Sequence, residues 1–354
     1  MTALLATVDP ADIPPELHWS DDSEPGLRRV RRGKGFSYVE PGGRTCRDEK
    51  TLQRVRALAV PPAWTDVWIC PSPNGHLQAT GRDARGRKQY RYHARFRAHR
   101  ELVKFDRLLE FGEALPDLRR RVAQDLALGG IPKDKVMATV VRLLESTLVR
   151  VGNEEYARTN GSYGLTTLRE KHCRVTSDGV RLVFKGKHGV ARDIRVQDRR
   201  LRHVVKQCQD LPGQQLFQYL DDEGDARPIS STDVNAYLRE VTDADTSAKD
   251  FRTWMATVLA TSALAELSPP RTQRNAQQQV ARVVESVADQ LGNTPSVCRA
   301  SYVHPTVIEW YSDGTLSDRW DQCSARGSRL LVADERKLCA LLRSMRRRRV
   351  RRAA

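Results

Sequence analysis

No run in this 354-residue chain approaches the roughly 20 consecutive apolar residues that a membrane-spanning helix needs. The opening segment, Met1–Pro10, has no basic cluster and contains Asp9, so it does not read as a secretion signal. Cysteine is present without pattern: Cys46, Cys70, Cys173, Cys208, Cys298, Cys323 and Cys339 form no Cys-x-x-Cys pair. An odd, scattered set behind no leader excludes a disulfide framework, and the thiols are expected to stay reduced in the cytoplasm. The 8 histidines lack metal-ligand spacing, so no structural metal and no cofactor is expected. There is no internal repeat. Acids are the deficit, with 44 Asp and Glu against 60 Lys and Arg, a net charge of +16. That excess points to a polyanionic partner, nucleic acid first and an anionic membrane surface second.

What remains describes a folded protein. Hydrophobic residues make up 39% and charged residues 29%, enough for a sizeable core over two or perhaps three domains. Residues 1–20 are proline-rich and are expected to form a loosely held arm. Over 21–100 short alternating runs are broken by glycine and proline, as in Gly35-Phe36-Ser37-Tyr38-Val39, Val67-Trp68-Ile69-Cys70 and Gln89-Tyr90-Arg91-Tyr92. This predicts a small β-rich domain with one helix near 48–58.

From about residue 95 the apolar period becomes helical. Pro132 fits a first helical residue, and Val136, Val140, Leu143, Leu144, Leu148 and Val151 then recur at three- and four-residue steps, carrying a helix to near Arg150. Residues 173–197 return to period two around a Gly186-Lys187-His188-Gly189 turn, which predicts a short antiparallel sheet. Helices are expected again near 199–208, 232–241, 250–266, 271–291 and 329–345. The fold class is therefore α+β: a β-rich lobe, then a larger, mostly helical domain over 101–345 carrying a small sheet. A basic tail over 346–354 closes the chain and is expected to be a solvated, disordered charge run adding non-specific phosphate affinity.

Four segments of the larger domain stand out together. They are Leu148-Val149-Arg150-Val151-Gly152-Asn153-Glu154-Glu155-Tyr156 with Tyr163-Gly164-Leu165-Thr166-Thr167-Leu168, Phe184-Lys185-Gly186-Lys187, Lys249-Asp250-Phe251-Arg252-Thr253, and Gly292-Asn293-Thr294-Pro295-Ser296 running to Arg299-Ala300-Ser301-Tyr302. In this order and spacing they resemble the type IB DNA topoisomerases, of the poxvirus-like and bacterial branch. Gly86-Arg87-Lys88-Gln89-Tyr90-Arg91-Tyr92 extends the resemblance into the first domain, so that it covers roughly residues 30–310.

The resemblance implies a C-shaped clamp on duplex DNA, acting as a monomer and associated with the nucleoid. It implies relaxation of supercoils through a transient 3′-phosphotyrosyl link, without ATP or metal. Tyr302 would be the nucleophile, Arg150 and Arg252 the clamp on the scissile phosphate, and Lys187 the general acid. Asn293 stands where the poxvirus enzymes carry histidine; its amide N–H can donate to a phosphate oxygen, but no cationic imidazole is available there. Arg87, Lys88, Gln89, Tyr90, Tyr92, Asn153, Tyr156 and Lys249 would touch DNA.

The chemistry asks for such a set. A tyrosine attacking a phosphodiester keeps the bond energy in a phosphotyrosine, so resealing needs no ATP. Guanidinium forks match the extra charge on the pentavalent phosphate, and the departing 5′ oxygen needs a proton. Each residue also has an ordinary use open to it. Arg150 fits a helix end, Lys187 an exposed turn, Arg252 a contact between helices, Tyr302 a half-buried core, and Thr294-Pro295 a helix start. Lys185, two residues before Lys187 on an alternating strand, remains an equal candidate for the acid. A tyrosine recombinase and a non-catalytic DNA-binding clamp are the rival readings. The first usually places His-x-x-Arg where this chain has Lys249-Asp250-Phe251-Arg252, and the second leaves the whole Arg-Lys-Arg-Asn-Tyr set unexplained.

Overall fold

The computed structural model describes residues 13–33 and 35–353, with the side chains of Leu102 and of 348–353 outside that description. Residues 1–12 of the expected arm, and most side chains of the expected basic tail, therefore lie outside the described residues. The chain divides into two compact units, Met1–Asp106 and Arg107–Ala354.

The first unit is a five-stranded antiparallel sheet with two helices. Its strands are β1 (Leu27–Arg32), β2 (Gly35–Val39), β3 (Thr65–Ile69), β4 (Leu77–Arg82) and β5 (Lys88–Tyr92), in the order β2-β1-β3-β4-β5. Alternation sends Val67 and Ile69 to one face, where they pack with Leu27, Val55 and Ala79 under helix α1 (Glu49–Ala57). Trp68 and Cys70 go to the other face and meet Leu77, Tyr90 and Tyr92. Helix α2 (Ala94–Asp106) belongs to this unit because Phe96 is buried against His76 and Tyr92, with ring centroids 5.0 and 5.4 Å away. That places the division at 106, past the expected 100.

The arm is not loose over its described part. Leu17 and Ser20 are buried. Ser20 N–H donates to His76 Nδ1 at 3.1 Å, and Ser20 Oγ donates to the Leu77 carbonyl and accepts from its N–H, both at 3.0 Å.

The second unit is mostly helical, in chain order α3 (Leu108–Asp125), α4 (Lys133–Thr147), α5 (Glu154–Asn160), α6 (Arg199–Gln209), α7 (Ser231–Thr242), α8 (Ala248–Ala265), α9 (Gln273–Leu291), α10 (Pro295–Ser301), α11 (Pro305–Ser312), α12 (Leu316–Asp321) and α13 (Ala333–Ala353). A three-stranded antiparallel sheet, β6 (Cys173–Val175), β7 (Val180–Lys185) and β8 (Ala191–Val196), and a small hairpin, β9 (Gln218–Leu220) and β10 (Ala226–Pro228), are set among the helices. Helix α8 is buried nearly all round, at Phe251, Arg252, Trp254, Ala256, Thr257, Val258 and Leu264 among others, and α3, α4, α7, α9, α11, α12 and α13 pack on it.

Three expectations change here. Pro132 is the N-cap of α4 and not its first residue, with ψ 164. The helix ends at Thr147, short of Arg150, because Leu148 turns into the left-handed region at φ 53. The apolar period runs on past the helix since Leu148 and Val149 stay buried after the backbone has left it. The basic tail continues α13 as helix to Ala353.

Helix α13 is anchored by a buried carboxylate. Glu335 is 0% exposed and accepts from Arg119 Nη1 and Nη2 at 2.8 and 2.7 Å, from Trp254 Nε1 at 3.1 Å and from Val332 N–H at 2.9 Å. Burial works against the charge, but Arg119 more than offsets it and holds the Glu335 carboxyl below its ordinary value. This contribution to stability is present above the unfolded carboxyl pKa and is lost as pH falls through the depressed folded one. Glu335→Ala should destabilise the second unit by about 3 kcal/mol, since breaking a buried pair leaves an uncompensated cation partly relieved by Glu145. The check is thermal unfolding, with Glu335→Gln as the milder control; a change within about 0.5 kcal/mol would mean the network contributes nothing net.

Candidate active site

The site is built where three chain reversals meet. The first follows α4. After left-handed Leu148 the chain runs without regular structure through Arg150 to Gly152, pinned by Leu165 N–H to the Arg150 carbonyl (3.0 Å) and Thr166 N–H to the Val151 carbonyl (2.7 Å). This close approach is why Gly164 carries no side chain: a Cβ there would lie 2.5 Å from the Arg150 carbonyl oxygen and 2.6 Å from Gly152 Cα. The second reversal is the β7–β8 hairpin, closed by Gly186 N–H to the Val190 carbonyl (2.8 Å) and Gly189 N–H to the Gly186 carbonyl (3.0 Å). The third follows α9, where left-handed Gly292 leads into Asn293 and Thr294 caps α10.

Arg252, on the first turns of α8, ties two of these reversals together. It is 3% exposed. Nη1 donates to the Leu148 carbonyl and Nη2 to the Leu291 carbonyl at 3.0 Å, so the guanidinium is stitched to the C-terminal ends of α4 and α9. Both ends carry the negative pole of a helix and suit a cation. Its Nε is buried without a partner. Burial, and then the neighbouring Arg150 charge, bring the Arg252 pKa down to about 10. Arg150 Nη2 donates to Asn293 Oδ1, which turns the Asn293 amide the other way and leaves its buried Nδ2 without a partner in hydrogen-bonding geometry. Two buried donors, Arg252 Nε and Asn293 Nδ2, are thus orphaned in one place. Such groups are rare in folded proteins and mark a place for an acceptor.

Tyr302 stands beside these donors at the C-cap of α10. Its backbone is fixed by Tyr302 N–H to the Cys298 carbonyl (2.9 Å) and by buried Thr257, whose Oγ1 donates to the Tyr302 carbonyl (3.1 Å) and accepts from His304 N–H (3.3 Å). The Arg252 Cζ lies 5.2 Å from the ring centroid. Burial alone would raise the phenol. The charge of Arg252, with that of Arg150 and the closeness of the Arg252 and Asn293 donors, outweighs it and holds Tyr302 below its ordinary value. A phenol inclined to ionise among cations, next to unfilled donors, has the chemistry to attack an anion held there.

The cavity in front of this group is lined by Arg150, Tyr163, Lys187, Arg192, Arg252 and Gly292, with neighbouring backbone. Lys187 is in it and Lys185 is not: alternation ends at the last strand residue, Lys185, and the following short 3-10 turn puts Lys187 over the cavity. Arg192 was not singled out by the sequence, although it is an arginine at an inward position of a period-two strand.

The expected DNA-touching residues fare differently. Arg87 is paired with Asp83 at 2.6 Å, Gln89 Nε2 donates to the same carboxylate at 3.0 Å, and Lys88 is paired with Asp22 at 2.7 Å. Asp83 also accepts from the N–H groups of Arg85 and Arg87, both at 3.0 Å. The carboxylates thus organise this turn, and the three basic or amide side chains are engaged within the unit. Tyr90 and Tyr92 stack on one another, centroids 6.0 Å apart, and lie against the Trp68 cluster. Asn153 does not follow Arg150 on a continuous helix; it is the N-cap of α5, its Oδ1 accepting from Tyr156 N–H at 3.0 Å. Tyr156 and Lys249 are exposed, Lys249 on the first turn of α8, one turn before Arg252.

Comparison with known proteins falls on the same regions. Residues 93–324 match the family model described as the catalytic core of eukaryotic DNA topoisomerase I, and residues 35–83 match that of the N-terminal domain of bacterial DNA topoisomerase IB. The chain is 32% identical over 295 residues to DNA topoisomerase 1B of Acanthamoeba polyphaga mimivirus, covering 81% of this chain and 88% of the viral one. It is 20% identical over 279 residues to DNA topoisomerase 1B of vaccinia virus (strain Copenhagen), covering 77% and 85%. The figures for DNA topoisomerase I of monkeypox virus are the same.

Proposed function

The chain belongs to the type IB DNA topoisomerases, and from that premise we propose that Tyr302, Arg150, Arg252, Lys187 and Asn293 carry its strand cleavage and resealing. The observation that carries the reading is the Tyr302 phenol, held below its ordinary pKa beside two buried, unpartnered donors.

Cleavage then proceeds as a single displacement at phosphorus. The Tyr302 oxygen, its proton released to solvent, forms the new P–O bond. The bond to the 5′ oxygen breaks, and that oxygen takes a proton from the Lys187 ammonium. The 3′ phosphate is left as a phosphotyrosine, and resealing is the same displacement reversed with the 5′ hydroxyl as nucleophile. Arg252 Nε, Arg150 and Asn293 Nδ2 supply donors to the non-bridging oxygens, whose charge grows in the transition state. Because Arg252 is already bound to two carbonyls, it needs no rearrangement to do so. Every group in this scheme lies in the second unit of one chain, which supports action as a monomer.

Positive and negative supercoils should both relax with EDTA present and no nucleotide, since fixed side-chain cations provide the charge that a metal would otherwise bring. Plasmid relaxation followed on agarose gels tests this directly. An absolute requirement for magnesium in the cleavage step would overturn the scheme.

A further inference from the structure

The cavity holds one cation that the cleavage scheme does not use. Arg192 lies in β8 directly opposite Phe184 in β7, and residues paired across a sheet point to the same face. That face is otherwise apolar: Leu182 and Phe184 are buried, and Ile194, next on the same side of β8, is half-buried. A guanidinium in such a row is costly unless something compensates it.

Arg192 is held in place from two sides. Its Nη2 donates to the Gln290 carbonyl at 3.3 Å, near the end of α9. Gly292 makes room for it: a Cβ there would sit 2.5 Å from Arg192 Nη1, and the position is left-handed at φ +63 in any case. The glycine thus meets two demands, ending α9 and admitting the guanidinium.

No acid balances this corner. The bonds that Arg150, Arg192 and Arg252 make run to an amide oxygen and to backbone carbonyls, and among the described residues none of the three forms an ion pair with a carboxylate. Burial, and after it the Arg150 charge, push the Arg192 guanidinium below its ordinary value. Like charges gathered around one cavity without a carboxylate counter-ion favour the entry of an anion. Lys187 and Arg150 line the same cavity, which places that anion at the reacting centre and not along the flanking backbone.

We propose that Arg192 is a further catalytic residue, donating to a non-bridging oxygen of the scissile phosphate alongside Arg150 and Arg252. The inference rests on Tyr302 being the nucleophile.

The test uses the full chain and a labelled duplex containing a cleavage site mapped by denaturant trapping. One version has an ordinary phosphodiester at that site, the other a methylphosphonate, which lacks the negative non-bridging oxygen. Single-turnover cleavage by Arg192→Ala is expected to fall by about 10–100-fold on the phosphodiester, somewhat below the loss typical of a fully buried oxyanion donor because Arg192 is only half-buried. Duplex affinity should change by less than about 3-fold, since the contact strengthens in the transition state. On the methylphosphonate the loss relative to the parent protein should shrink to within about 3-fold, because the charge that Arg192 neutralises is gone. Arg192→Lys, which keeps the charge and much of the stem, should recover part of the rate and guards against a folding defect. An equal penalty on both linkages, or a loss confined to affinity, would overturn the role of Arg192. Failure of the parent protein to form any Tyr302 adduct would overturn the underlying reading and this one with it.

Discussion

The Tyr302→Phe variant is expected to bind duplex DNA nearly as well as the parent protein and to cut none of it. The ring is kept, so its place beside Arg252 and the Thr257 bond to its carbonyl should survive. Only the oxygen that forms the covalent link is lost. Affinity should persist because phosphate contacts spread over a basic protein dominate binding, and a single phenol adds little to them. The measurement is trapping by denaturant. The parent protein should be left on the 3′ phosphate of the nicked strand, and the variant should leave no adduct. Attachment to a 5′ end, or an adduct that persists in the variant on another tyrosine, would refute the assignment. Tyr311 is a poor substitute on the geometry: it is buried and donates to Gln279 at 2.6 Å.

Lys187→Ala should slow cleavage of ordinary DNA by about 10²–10⁴-fold, the range typical of a general acid. With sulfur in place of the bridging 5′ oxygen the deficit should largely disappear, because a thiolate leaves without being protonated. Lys185→Ala is the informative partner. Its backbone carbonyl accepts from Tyr163 N–H at 2.8 Å whatever the side chain, so the substitution leaves the hairpin intact. It should cut at close to the parent rate on both substrates. Rescue of Lys185→Ala by sulfur, with Lys187→Ala unaffected, would exchange the two roles. Rescue of neither would place the acid outside the hairpin.

The sequence made the order of the chemistry legible but not its depth. Arg150, Lys187, Arg252, Asn293 and Tyr302 lie in distinct blocks whose spacing carried the resemblance, and the structure gathers Arg150, Arg252, Asn293 and Tyr302 into one cluster with Lys187 at the same cavity. Long elements with a sustained period, such as α8 and α9, were readable for the same reason that they are stable: each repeats one buried face over several turns. Of α10 only the start at Thr294-Pro295 was readable, and α11 and α12 were not, because they are 8 and 6 residues long and barely complete the period that would reveal them. Arg192 escaped because a single charged residue in an alternating strand looks like an outward one until the register is known. The basic edge of β5 misled for a related reason. The Asp22 that engages Lys88 lies 66 positions away in sequence, and composition alone cannot pair them.

The stitching of Arg252 between the ends of α4 and α9 bears on how the enzyme can be fast. An arginine side chain carries about 2 kcal/mol of rotamer entropy, which a flexible guanidinium surrenders each time it closes on a phosphate. Here that ordering is completed when the protein folds, by two carbonyls that never leave. With Arg252 in the role proposed for it, every nick and every resealing would start from the same rigid donor, so the two directions of the reaction would meet the same geometry. On that reading the fidelity of resealing would depend on the C-terminal carbonyls of two helices.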